Sequence, residues 1–329
     1  MNLRKIIAEN PLALFIKMLP DNISASWQFA KNNARCDNSK SQSKSLTDIL
    51  MLTHALEKAF SLPNPRKSFG LKKASSLLNK INRYIDEFGW DSSLVAPLSV
   101  LKEYVSYHER NNTKSADIKT LESSINKIAA VESMGSDALN SGGTIDVTGH
   151  DLTEHGRGNF EELASNRYAV RDFAPSPVDD EIICKALDIA KKSPSACNRQ
   201  AYRVHIFKGP LKDTLLKMQG GANSFYKTAD RVLMVCADAN RYFTRESKLG
   251  YVDASLFAMS LIYAFTYLGI GSIPLTLGIS QQILNQMKHD FNIPANEIPV
   301  LLIAIGNYKE NFKVAMSHRN PVESFSTFH

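Results

Sequence analysis

Two stretches of the chain concentrate side chains suited to binding an anion. Arg167-Tyr168-Ala169-Val170-Arg171 sets two guanidinium groups four residues apart, just ahead of a turn and a helix. Two such forks can hold a phosphate or stabilise a developing negative charge, although the same pair standing alone is better explained as solvated charge at the start of a domain. The second stretch, Ser193-Pro194-Ser195-Ala196-Cys197-Asn198-Arg199-Gln200, follows a helix and leads into a strand. Loops of this composition present hydroxyls, amides and backbone N–H groups to ligands. Cys197 within it is a candidate thiol, but the expectation is a buried small hydrophobe, and His205 on the next strand is expected to be structural.

These residues need a scaffold, and the hydropathy pattern supplies one. At 329 residues with 43% hydrophobic content the chain is long enough for two cores. Apolar residues recur at helical spacing over 46–60, 71–88, 94–107 and 118–131, which predicts a helical N-terminal region over 1–133. Gly135, Gly142, Gly143, Gly149, Gly156 and Gly158 then predict a Gly-rich linker over 134–158. The segment 36–44 is polar and is expected to be a loop.

From 159 to 329 the pattern turns to mixed α and β. Ser176-Pro177-Val178-Asp179 offers an N-cap, an N1 proline and a first-turn acid for a helix ending near Ser193. The runs 204–207, 232–236 and 300–305 are expected to be buried strands, with helices over 253–268 and 281–291 between the last two. The uncharged stretch 254–281 nominally satisfies the length of a membrane span, but Gly269, Gly271 and Pro274 cut it short, so a core or dimer-interface helix is expected and no transmembrane span.

Cys36, Cys184, Cys197 and Cys236 include no CxxC pair, which argues against a disulfide framework and a structural zinc site; no metal site is expected. Without a recognisable secretory signal the expected location is cytoplasmic. Lys58, Arg66, Lys67, Lys72, Lys73, Lys80 and Arg83 form an acid-free basic stretch that could meet an anionic partner or simply be solvated. Residues 1–150 carry 19 Lys+Arg against 15 Asp+Glu, and 151–329 carry 20 against 18. Neither balance suits nucleic acid as a partner. His54 and Glu57 lie one helical turn apart and could pair.

The order of these features resembles the nitroreductase family. Arg-x-x-x-Arg-x-Phe at 167–173, Pro177-Val178, Pro194-Ser195-x-x-Asn198-x-Gln200, the Asp253-led apolar helix, Leu268-Gly269-Ile270-Gly271, Phe291-Asn292-Ile293-Pro294, Ile305-Gly306 and the basic tail with Lys313, Ser317 and Arg319 fall in the family's sequence order. The resemblance implies an α+β fold, with a mixed, largely antiparallel sheet flanked by helices in an intertwined homodimer, preceded here by the all-α region. It also implies FMN as cofactor and NADH or NADPH as electron donor.

By motif position, Arg167, Tyr168, Ala169, Arg171, Lys313 and Arg319 would contact the FMN, with Arg171 beside the ring edge that gains negative charge on reduction. Pro194, Ser195, Asn198 and Gln200 would reach the flavin of the other protomer. Asn223 would meet its pyrimidine edge, and Pro274, Leu275 and Thr276 would supply backbone contacts to the ring. Ala169 stands where a Ser or Thr hydroxyl is common, and no acid follows Pro274. The implied activity is electron transfer from NAD(P)H to a nitroaromatic, quinone or other conjugated small-molecule acceptor. Two alternatives remain open: an FMN-dependent oxidase or tailoring enzyme of a biosynthetic pathway, and a degenerate flavin domain serving as a dimeric scaffold. The helical region resembles extensions on longer family members linked to polysaccharide biosynthesis.

Overall fold

The computed structural model describes residues 10–32, 42–63, 69–132, 138–140, 142–243, 246 and 248–329. The described chain forms two compact units: one contains 146–314 with the described residues up to 18, the other 19–145 with 315–329. The last three residues of the expected loop at 36–44 enter a helix from Gln42; its earlier residues, Cys36 included, lie outside the described residues, as do Arg66 and Lys67.

A first helix, α1 (Pro11–Asn32), precedes the helical unit's α2 (Gln42–Phe60), α3 (Leu71–Phe88), α4 (Val95–Arg110) and α5 (Ala116–Val131). The last four coincide with the four periodic stretches. Their apolar stripes converge in one core that includes Leu56, Leu77, Ile81, Leu98, Leu101, Ile118, Leu121 and Ile125. Ser115 caps α5, accepting from the Ile118 N–H. Of the basic stretch, Lys80 pairs with Asp48 at 2.6 Å and Arg83 with Glu87 at 3.1 Å. Glu57 is buried and accepts a hydrogen bond from the Gly143 amide at 3.3 Å.

His108 closes this core. It is 1% exposed, its Nδ1 lies 2.7 Å from the Thr113 hydroxyl, and its ring stands edge-on to Tyr104 at 4.6 Å. Burial lowers its pKa from the ordinary 6.5, with the Phe69 backbone carbonyl, as acceptor, opposing the shift. In the window from 6.5 down to the folded value, the unfolded chain binds the proton and the folded chain does not, so stability falls as pH drops through that window. Thermal unfolding of this unit is expected to move to lower temperature between pH 7 and 5, and His108→Gln to flatten that dependence.

The segment expected as a linker is structured where described, and this corrects that expectation. It contains β1 (Thr144–Thr148) and α6 (Gly149–Gly156). Thr148 caps α6 through the Asp151 N–H at 3.0 Å. The glycines serve close packing: a Cβ at Gly149 would lie 2.4 Å from the Lys309 carbonyl oxygen, and one at Gly156 2.6 Å from that of Thr266. Composition alone cannot distinguish this use of glycine from flexibility.

Beyond α7 (Phe160–Ser165), the remaining elements are α8 (Asp180–Ala190), β2 (Tyr202–Lys208), α9 (Gly209–Gln219), β3 (Arg231–Asp238), α10 (Leu249–Tyr267), β4 (Ile270–Thr276), α11 (Gln281–Asp290), β5 (Glu297–Asn307) and β6 (Asn311–Ala315). An antiparallel four-stranded sheet runs β2-β3-β5-β4, while β1 pairs with β6 in a separate two-stranded sheet. The fold is α+β with helices flanking the sheet, as expected. α8 starts later than expected, because Asp179 is the cap and accepts from the Glu181 N–H at 2.9 Å, while the Val178 N–H is held by Asp230.

One face of the four-stranded sheet carries Leu233, Val235, Ile303 and Ile305 against Phe257, Leu261 and Phe265 of α10 and Ile183 and Ala186 of α8. α10 is long and apolar enough to cross a membrane by length and composition, and 56% of its apolar window is buried within the protein. Strand β4 was not foreseen. Gly269, at φ 74°, ends the preceding turn, and Pro274 sits inside the strand, where an edge position tolerates its missing N–H. Gly306 lies one residue inside β5, where a Cβ would meet the Phe173 side chain at 2.7 Å.

Candidate active site

The Arg167–Arg171 segment runs along the outer edge of β4. Ala169 forms a parallel bridge with Ser272, and the Val170 N–H donates to the Ser272 carbonyl at 3.0 Å. Arg171 is buried, with one guanidinium nitrogen 3.4 Å from the Ala169 carbonyl, while Arg167, Tyr168 and Ala169 are half-buried. Beside Arg171, Asp172 is paired with Lys309 at 2.6 Å. Burial raises the Tyr308 phenol above its ordinary range, with the Arg167 guanidinium opposing that rise.

Farther along the same edge, Pro274 and Thr276 are exposed and Leu275 turns inward. The Gln219 side chain donates to the Thr276 carbonyl at 2.9 Å, which ties the end of α9 and its Gly220-Gly221-Ala222-Asn223 continuation to this edge. Asn223 is exposed. The structure thus brings the 167–171 and 274–276 residues to one sheet edge, which Gln219 also reaches.

The 194–200 loop belongs to the opposite edge, because it leads into β2. Three interstrand spacings separate the two edges, about 14 Å. Pro194, Asn198 and Gln200 are exposed and Ser195 is half-buried. Cys197, Asn198 and Gln200 take φ of 51°, 53° and 50°, a left-handed conformation that costs non-glycine residues energy and is concentrated at functional sites. Cys197 is exposed, which corrects its expected burial: the left-handed turn holds it at the surface.

What holds this strained loop is a buried carboxylate with no role in the motif reading beyond heading its helix. Asp253, 3% exposed at the start of α10, accepts the Ala196 N–H with both carboxylate oxygens at 3.1 and 3.2 Å and the Tyr242 hydroxyl at 2.8 Å. Burial, followed by the hydrogen bond to Asp253, raises the Tyr242 phenol so that it stays a donor. Ser195 Oγ accepts from the Gln200 N–H at 3.0 Å. Arg199 clamps the far side, forming a two-pronged pair with Glu246 at 2.7 and 3.1 Å and donating to the Ala196 carbonyl at 2.9 Å. Arg199, and then the Phe243 amide, keep the Glu246 carboxyl below its ordinary range. A sole acid opening an otherwise uncharged helix was the available signal for Asp253.

The two basic-tail residues are placed differently. Lys313 is exposed on β6 and pairs with Asp146 at 3.0 Å. Arg319 is exposed, donates to the Ser317 carbonyl, and belongs to the helical unit rather than to the unit carrying Arg167 and Arg171.

The segment that carries both arginines and the clamped loop is similar to a known family. Residues 164–250 match the nitroreductase family model. The chain is also similar to curated proteins. Over 93 residues the chain is 32% identical to a 4-nitrobenzoate reductase of Pseudomonas putida, covering 28% of this chain and 40% of that protein. Over 167 residues it is 22% identical to an NADH dehydrogenase/NAD(P)H nitroreductase of Methanothermobacter thermautotrophicus, covering 51% of this chain and 86% of that one. The chain therefore spans less than half of the first relative's length.

Among solved structures, a nitroreductase family protein from Clostridium difficile is 25% identical, with 52% of this chain and 98% of that chain covered and a TM-score of 0.44. One from Streptococcus pneumoniae is 23% identical, with 52% and 100% covered and a TM-score of 0.45.

Proposed function

We propose that the nitroreductase-family domain binds FMN and acts as an NAD(P)H-dependent oxidoreductase on a nitroaromatic, quinone or other conjugated acceptor. The observation that carries this reading is the juxtaposition of Arg167 and Arg171 with the 274–276 edge of β4. The donor set fits the cofactor: fixed guanidinium groups match its phosphate or the ring edge that becomes anionic, and amide and hydroxyl groups match the ring's carbonyls and imide. Bound there, FMN would accept a hydride from the nicotinamide and pass electrons to the acceptor.

The chain's own residues then orient and stabilise. Arg171, which is buried, would hold positive charge beside the ring edge that becomes anionic on reduction, which would favour the reduced state. Pro274 has no amide hydrogen, so a backbone donor in that stretch comes from Leu275 or Thr276. Lys313 serves the phosphate in this reading, leaving Asp146 to do so.

A homodimer completes the site. The 194–200 loop lies at the sheet edge opposite Arg171, so a second copy brings its own loop, with Ser195, Asn198 and Gln200, to the flavin. An apolar stripe on α10 supports such pairing: Val252, Leu256 and Met259, at helical spacing, are 50%, 44% and 37% exposed. The strain stored in the loop favours a working site over a degenerate scaffold.

Complementation tests both claims together. Arg171→Ala chains and Ser195→Ala/Asn198→Ala chains, each impaired as homodimers, should regain one intact site per mixed dimer when co-expressed. NAD(P)H oxidation with a quinone acceptor should then exceed that of either parent. Mixed dimers no more active than the better parent would contradict the composite site.

A further inference from the structure

The sheet face turned away from α10 carries a second constellation. Alternation along paired strands puts His205 of β2, Cys236 of β3 and Glu297 of β5 on that face, through the register pairs His205 with Met234, Arg203 with Cys236, and Asp238 with Glu297. Glu297 reaches it only because of a bulge. Val235 pairs with Leu301 and Cys236 with Pro299, so Val300 is the extra residue. Continued without that bulge, the ladder would turn Glu297 to the α10 side.

The three ligand atoms lie within 4.8 Å of one another. Cys236 is fully buried and Glu297 is 7% exposed, while the His205 side chain, at 28%, opens one side of the trio to solvent. The His205 Nε2 is 2.6 Å from a Glu297 carboxylate oxygen. We propose that His205, Cys236 and Glu297 form a divalent transition-metal site, with zinc as the ion it takes.

The donor chemistry argues for this. A thiolate, an imidazole and a carboxylate are the three zinc ligand types, and together the two anions neutralise a 2+ ion in a buried place. Zinc bonds of about 2.0–2.3 Å set tetrahedral ligand atoms about 3.3–3.7 Å apart, so the widest separation must close by about 1 Å while the His205–Glu297 contact opens as the carboxylate turns onto the ion. The exposed side of His205 leaves an entry path and an open fourth position for water. Such an ion ties three adjacent strands together. Cysteine spacing could not reveal the site, since each ligand comes from a different strand and His205 and Glu297 are 92 residues apart.

The test uses the full chain, stripped with a chelator, desalted and titrated with Co²⁺ alone. The expected result is one Co²⁺ per chain, with a sulfur-to-cobalt charge-transfer band and strong visible bands of a tetrahedral ion, both abolished by adding Zn²⁺. Cys236→Ser should lose the charge-transfer band, and both Cys236→Ser and His205→Gln should weaken binding by more than about 100-fold. Because His205 is partly exposed, His205→Gln reports on the site even if Cys236→Ser fails to fold. Cys184→Ser, an exposed thiol elsewhere, should bind as the unsubstituted chain does. Sub-stoichiometric binding or a missing charge-transfer band in the unsubstituted chain overturns the proposal, as does binding that survives either ligand substitution unchanged.

Discussion

Asp253→Ala is expected to cost about 2–5 kcal/mol of stability, because it strands two donors in a buried place, the Ala196 N–H and the Tyr242 hydroxyl. The loss should be local first. With its anchor gone, the 194–200 loop relaxes out of its left-handed turns, so amide hydrogen exchange across it should accelerate before the sheet is affected. FMN affinity should fall with it, although Asp253 itself touches no cofactor. Asp253→Asn tests the assignment: one oxygen still accepts, but the amide nitrogen now faces a donor, so an intermediate effect is expected. Unchanged exchange in the loop of Asp253→Ala would show that the carboxylate does not position it.

Arg171→Ala is the second large effect. Losing charge-assisted hydrogen bonds worth about 1.5–3 kcal/mol should weaken FMN binding by about 10- to 150-fold, read by flavin fluorescence titration. Flavin that remains bound should have a more negative midpoint potential, because the cation that stabilises its reduced form is gone. Arg171→Lys keeps the charge but not the planar fork, so the potential should recover more than the affinity. Equal potentials in the parent and Arg171→Ala proteins would place the guanidinium away from the ring.

Much of this arrangement was legible from residue order, and the gaps have physical causes. The four helices of the N-terminal region and strands β2, β3 and β5 announced themselves because their burial follows the helical period or fills short apolar runs. β4 did not, since Gly271 and Pro274 are breakers everywhere except where a glycine meets a close neighbour and a proline sits on an edge strand. The 134–158 stretch misled for a related reason: its glycines admit the Lys309 and Thr266 carbonyls.

The motifs marked candidate residues but said nothing of their geometry. Nothing in the order of Arg171 and Asn198 reveals that they lie at opposite edges of one sheet, the feature on which the proposed pairing of two copies rests. Likewise, Asp253 was visible as the first residue of a motif, and only its bonds to Ala196 and Tyr242 give it a task.

The visible absorption spectrum of the full chain, incubated with FMN and then desalted, tests the central claim most directly. The account predicts about one flavin retained per chain, with bands that bleach on addition of NADH or NADPH and return on addition of a quinone. A folded protein that emerges colourless would contradict it.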